Sequence, residues 1–153
     1  METRVSFMPD RYRLGCASID TQHELIFAIY HELLRSVELE QDGYDMASVF
    51  LCLNGYAATH FKHEETLMRS AGFPGMEDHL HEHRSMVRQI GVFRERFLSA
   101  ASAEAERVVA REVAGFLLAW LEHHISEVDR ELCAYLLVYA TEFPDQFDAE
   151  NSL

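Results

Sequence analysis

Several histidines and acids in this 153-residue chain stand where apolar side chains belong. His60 and Glu64 continue a stripe begun by Cys52 and Tyr56 in steps of four. His83 lies one turn after His79 and one turn before Val87, and His124 continues Phe116 and Trp120, with Asp129 further on. His23 leads into Leu25, Ile26 and Ile29. Burying a polar side chain without a partner costs roughly 2–7 kcal/mol on transfer scales. Several helices bearing that cost together call for a common partner, and a metal supplies one. Imidazole mixed with carboxylate suits iron, zinc, copper or manganese better than calcium or magnesium. Two carboxylates among five histidines fit two metal ions, since each carboxylate can bridge.

Four amphipathic segments must position these groups. An irregular arm over about 1–18 carries the breakers Pro9 and Gly15. A first helix over about 20–40, with Asp20 as its N-cap, carries Leu25, Ile29, Leu33 and Val37 and stops at Gln41-Asp42-Gly43. A second over about 45–70 carries Val49, Cys52, Tyr56, His60, Glu64 and Leu67, and Gly72, Pro74 and Gly75 break the chain after it. A third over about 76–100 carries His79, His83, Val87, Ile90 and Phe97. A fourth over about 103–141 is capped by Ser102, carries Val109, Val113, Phe116, Trp120, His124, Val128 and Leu132, and is followed by Pro144. The tail reads as acidic and frayed. Short breaks between long helices predict an all-α fold, an antiparallel up-down-up-down four-helix bundle with an irregular N-terminal arm, as one domain over 1–153. In such a bundle the start of the first helix, the end of the second, the start of the third and the later part of the fourth lie side by side. His23, His60, Glu64, His79, His83, His124 and Asp129 then meet in one layer. The ferritin-like alternative needs Glu-x-x-His on two helices, a motif this chain lacks.

Composition narrows the partners. The formal net charge is -13, which disfavours nucleic acid and anionic membrane as ligands. The longest apolar runs, Val113 to Leu121 and Leu132 to Ala140, are far shorter than the roughly 20 residues of a membrane span. Cys16, Cys52 and Cys133 form no disulfide framework and read as buried small hydrophobes in a reducing compartment. The first residues carry no apolar leader, so a cytoplasmic protein is expected.

Four segments carry a resemblance in register: Ile19-Asp20-Thr21-Gln22-His23; His60 to Met68, HFKHEETLM; Gly72-Phe73-Pro74 followed by His79 and His83; and Trp120 to Asp129, WLEHHISEVD. Over about residues 12 to 140 the chain resembles the hemerythrin family in its bacterial branch. The resemblance implies a non-haem centre of two iron ions bridged by Glu64, Asp129 and an oxo or hydroxo group. His79, His83 and His124 would complete one iron, and His23 and His60 the other. Counting donors fills six positions on the first iron and five on the second, leaving one vacancy for a small ligand. The implied function is reversible O2 binding for carriage, storage or delivery, with NO or azide as other possible ligands. Phe116, Trp120 and Leu121 are candidates for the pocket wall.

Two features depart from the pattern or strain it. Where many bacterial members carry Trp, the arm has Phe7-Met8-Pro9-Asp10-Arg11-Tyr12, so it is expected to pack differently. His124 and Asp129 are five residues apart, about 140° around an ideal helix, whereas Glu127 at i+3 lies closer in angle. Plain helical geometry favours Glu127 and the resemblance favours Asp129, which a local bulge would help. Glu127 thus stands as a candidate extra ligand able to close the open iron position. His31, His63, His81 and His123 read as surface or boundary residues. A sensor working through a separate partner chain is the second functional class, and a di-iron enzyme acting on peroxide or nitric oxide is the third. An enzyme is the less expected outcome, because no dedicated general acid or base stands beside the site.

Overall fold

A computed structural model describes residues 6–38 and 45–145. The described chain is helical and contains no strand. The helices are α1 (Ala17–Glu38), α2 (Met46–Ala71), α3 (Met76–Leu98), α4 (Ala103–His123) and α5 (Arg130–Glu142), with a π-helical stretch over His124–Asp129 joining the last two into one rod. Each of α1, α2, α3 and α4 packs against its two neighbours in a ring, giving a four-helix bundle.

Local chemistry sets the boundaries. Asp45 caps α2 by accepting from Ser48 N at 3.1 Å, and Ser102 caps α4 by accepting from Ala105 N at 3.2 Å. Gly72 ends α2 in the left-handed region at φ 64, and the Phe73 N–H reaches back to Met68 O at 2.9 Å, a Schellman closure. Gly75 opens α3 with the Phe73 ring so close that an added Cβ would sit 2.8 Å from it. The third helix ends at Leu98, two residues short of the expected limit, where Ser99 N bonds Glu95 O at 3.0 Å. The Gln41-Asp42-Gly43 stop and nearly all of the tail lie outside the described residues.

Asp20 is not the N-cap of α1. The helix begins earlier, at Ala17, and the Asp20 carboxylate turns back to accept from Leu14 N at 2.8 Å and Gly15 N at 3.0 Å. Gly15 adopts φ 86 there, so the bend from arm to helix is tied to the first turn of the helix. Met8 and Tyr12 are buried, and Tyr12 packs on Phe27 at 5.1 Å between ring centroids. The arm, which carries a short 3-10 turn at Asp10–Tyr12, thus covers the bundle without a Trp.

The expected stripes are partly wrong. Leu25, Cys52 and Val87 are exposed. Steps of four drift by about 40° each on a 3.6-residue turn, so a strict i+4 ladder leaves the core. The buried faces alternate steps of three and four, as in Ile19, His23, Ile26, Tyr30 and Leu33 of α1, and Phe50, Leu53, Ala57, His60 and Glu64 of α2. Cys16 and Cys133 are buried as expected.

Two apolar clusters result. The larger includes Ile26, Phe61, Met86 and Ile125, and the smaller includes Ile19, Leu67, Phe73 and Leu132. In every helical rod the chain passes from one cluster to the other through the residues singled out above: Ile19, His23, Ile26; Phe61, Glu64, Leu67; Phe73, His79, His83, Met86; Ile125, Asp129, Leu132. A polar layer therefore divides two dry cores. Its convergence from opposite ends of successive helices is the antiparallel arrangement.

Candidate metal centre

The layer holds His23 from α1, His60 and Glu64 from α2, His79 and His83 from α3, and His124 and Asp129 from the π stretch, each at most 3% exposed. Their donor atoms fall into two groups. Glu64, His79, His83, His124 and Asp129 form one, and His23, His60, Glu64 and Asp129 form the other, with atoms in each group within 4.8 Å of one another. Glu64 and Asp129 belong to both. Glu64 Oε2 lies 3.0 Å from His83 Nε2 and 3.1 Å from His79 Nε2, and its Oε1 lies 3.4 Å from His60 Nε2. Asp129 Oδ1 lies 3.0 Å from His124 Nε2 and 3.3 Å from His79 Nε2, and its Oδ2 lies 3.0 Å from His23 Nε2.

The π stretch resolves the competition between Glu127 and Asp129. A π turn holds about 4.4 residues, so i+5 falls only about 50° from His124 and i+3 swings to about 115°. Asp129 is accordingly fully buried, while the Glu127 side chain is 71% exposed and pairs with His123 at 3.3 Å. The structure does not bring Glu127 to the donor layer.

The residues present fit a metal pair. Several of these close N···O contacts are not aligned as hydrogen bonds: His60 Nε2, Glu64 Oε1, His83 Nε2, His124 Nε2 and Asp129 Oδ1 are buried without a hydrogen-bond partner. Buried polar atoms are ordinarily satisfied. Atoms this close yet misaligned are aimed at shared points between them, as ligands are. The mixed imidazole and carboxylate set matches borderline transition ions.

Protonation is uneven across the layer. Burial pulls His60 down to about 4 against the opposing charge of Glu64, and burial lowers His83 too. Burial also disfavours charged His79, but its contacts with Asp129 and Glu64 outweigh that and hold it at about 9. Burial and mutual repulsion push Glu64 upward, and the surrounding imidazoles more than reverse this; Asp129 is likewise held well below the usual carboxylate range, chiefly by His124 and the other imidazoles against burial. Near neutral pH the two carboxylates are therefore ionised, and His60 and His83 have free lone pairs. His79 must give up a proton before it can bind a cation.

Aromatic rings fix the imidazoles. Tyr56 stacks on His60 at 5.0 Å, Phe61 on His83 at 3.8 Å and Trp120 on His124 at 4.2 Å. Leu121 is fully buried, while Phe116 is half-buried and packs on Phe93 at 5.5 Å rather than on a donor ring. Gln22 Oε1 lies 2.7 Å from His60 Nδ1, which turns Nε2 toward the centre. Tyr56, Phe61 and Gln22 were not assigned roles from the sequence. Tyr56 precedes His60 by one turn and Gln22 adjoins His23, and that spacing was the available signal. His31, His81 and His123 are exposed, and His63 is half-buried beside Ser18 Oγ at 3.0 Å.

The model of the hemerythrin HHE cation-binding domain matches residues 15–136. Over 126 residues the chain is 30% identical to a bacteriohemerythrin of Clostridium acetobutylicum, covering 80% of this chain and 94% of that protein. It is 32% identical over 120 residues to a bacteriohemerythrin of Pseudomonas paraeruginosa, covering 78% and 74%. A bacteriohemerythrin of Stenotrophomonas maltophilia is 26% identical over 137 residues, covering 88% and 83%.

Proposed function

Because this chain belongs to the hemerythrin family, we propose that it is a non-haem di-iron protein that binds O2 reversibly. The observation that carries this reading is the pair of interlocked donor groups, one with three imidazoles and one with two, sharing both carboxylates. His79, His83 and His124 would hold one iron and His23 and His60 the other, with Glu64 and Asp129 shared by both donor groups. The smaller imidazole set has one donor fewer, so a metal held there would have room for a small ligand. When bound, the irons supply the reversible redox chemistry that O2 binding needs.

The protein's own part is to hold the donors and keep water away. Gln22 orients His60, and the stacked rings of Tyr56, Phe61 and Trp120 hold His60, His83 and His124. Fully buried Leu121 and Ile125 belong to the apolar cluster on one side of the donor layer, which lowers the local dielectric and limits proton access. Glu127 is turned to the surface and would not compete for the small-ligand position. We read the chain as one domain that binds O2 rather than turning it over, and as a resident of the cytoplasm; no helix among the described residues is long and apolar enough to cross a membrane.

Metal analysis with optical spectra recorded under alternating anaerobic and aerated conditions tests this. Two irons per chain and an O2-dependent band that cycles without net O2 consumption are expected. About one metal per chain, or no such band, overturns the reading.

A further inference from the structure

A cleft of about 300 Å³ opens between the start of α3 and the π stretch, and the roles above do not use it. Four carboxylates line it, Asp78, Glu82, Glu127 and Glu131, and no Lys or Arg does. Glu127 is paired with His123, whereas Asp78, Glu82 and Glu131 make no ion pair among the described residues. Arg130, the nearest cation along the chain, is drawn elsewhere: its Nε donates to Ser126 O at 3.0 Å and its Nη2 to Arg11 O at 3.1 Å.

His79 connects this cleft to the metal centre. It is the one member of the seven-residue donor layer that lines the cleft. It is 2% exposed, and its Nδ1 is buried with no hydrogen-bond partner. Its Nε2 stands 3.1 Å from Glu64 Oε2 and 3.3 Å from Asp129 Oδ1, the two carboxylates common to both donor groups. This single ring therefore touches both the cleft and the two shared carboxylates.

We propose that the acidic cleft is a loading vestibule, where a hydrated divalent cation docks before passing His79 into the donor layer. The inference rests on the two-metal reading above and adds the route by which the centre is filled. The chemistry suits a transient stop. Asp78, Glu127 and Glu131 are exposed and Glu82 is half-buried, so a cation held there keeps most of its water and is released readily. Like charges lining a cleft focus the field and raise association rates by about 10–10³, an effect that salt screens.

The test follows Co²⁺ uptake by the metal-free full chain in stopped flow, reading absorption and final metal content. The cleft variant is Asp78→Asn/Glu82→Gln/Glu131→Gln. The control, Glu38→Gln/Glu95→Gln/Glu106→Gln, removes the same charge from residues near the opposite end of the bundle. At low salt the cleft variant should load at least about tenfold more slowly than wild type, and the control within about twofold. The gap should close at about 0.5 M salt, and all three proteins should finish with two ions per chain. Equal rates for cleft variant and control overturn the vestibule. A lower final occupancy in the cleft variant also overturns it, because the carboxylates would then belong to the resting site. A wild-type endpoint below two ions refutes the two-metal reading, and the vestibule with it.

Discussion

Glu64→Gln changes one atom and removes one charge at the point where the two donor groups meet. Glu64 is fully buried, and its two oxygens serve opposite sides: Oε2 faces His79 and His83, and Oε1 faces His60. Glutamine keeps the shape but offers one oxygen, and its NH2 presents hydrogens to whichever side it faces. One ion then loses a ligand, and the other loses half the charge that bridges them. Removing a partner that merely orients a ligand costs 10–100-fold in affinity, so losing the ligand itself should cost at least about 100-fold, or about 2.7 kcal/mol. The expected result is one tightly held ion per chain, with the second weakened by that factor or absent. Competition titration with a chromophoric chelator and metal analysis after gel filtration measure both. Thermal unfolding supplies a second readout, because metal should raise the wild-type midpoint far more than that of the variant. Two ions bound within about threefold of wild-type affinity would refute the sharing of Glu64 between the groups.

Gln22→Leu removes the 2.7 Å contact to His60 Nδ1 without touching a donor. It should weaken one of the two ions by about 10–100-fold in the same titration while leaving the other unchanged, and equal effects on both would be inconsistent with the assignment of His60. The metal-free protein should be most stable near pH 6.5. On the acid side, the unfolded chain protonates His60 from about 6.5 while the folded chain resists until about 4, so folding stability falls by roughly 3 kcal/mol as pH drops through that window. On the alkaline side His79 acts with the opposite sign: its stabilisation is complete below about 6.5 and is lost as pH rises through about 9. Chemical denaturation of the metal-free protein between pH 4 and 10 checks this, and a midpoint climbing steadily from 6.5 to 9 would contradict the role given to His79.

The bundle was readable because capping and breaking residues carry strong local signals. Ser102 and Gly72 act where the sequence placed them. The level-matching of the donors was readable too, since polar groups in four apolar faces have few places to meet. What the sequence hid depends on geometry that spacing alone underdetermines. Leu25, Cys52 and Val87 fit an i+4 ladder but point outward, because the core face follows steps of three and four. Asp20 has the chemistry of an N-cap, yet it ties the arm from inside the first turn. Glu127 wins on an ideal α-helix and loses on a π turn, and the extra residue per turn leaves no mark in composition.

The contact between His23 and Asp129 spans 106 positions of the chain. A metal held between them would act as a clasp across nearly the whole domain, much as a disulfide closing a loop of that length would. In the chain-entropy picture such a closure removes about 4–5 kcal/mol of freedom from the unfolded chain. Neither α1 nor the last rod carries enough donors to hold an ion alone, so the clasp closes only when α1, α2 and the last rod have docked, and filling the neighbouring donor group requires α3 as well. Metal occupancy therefore doubles as a record of complete assembly, and fraying at either end of the chain should be felt at the centre.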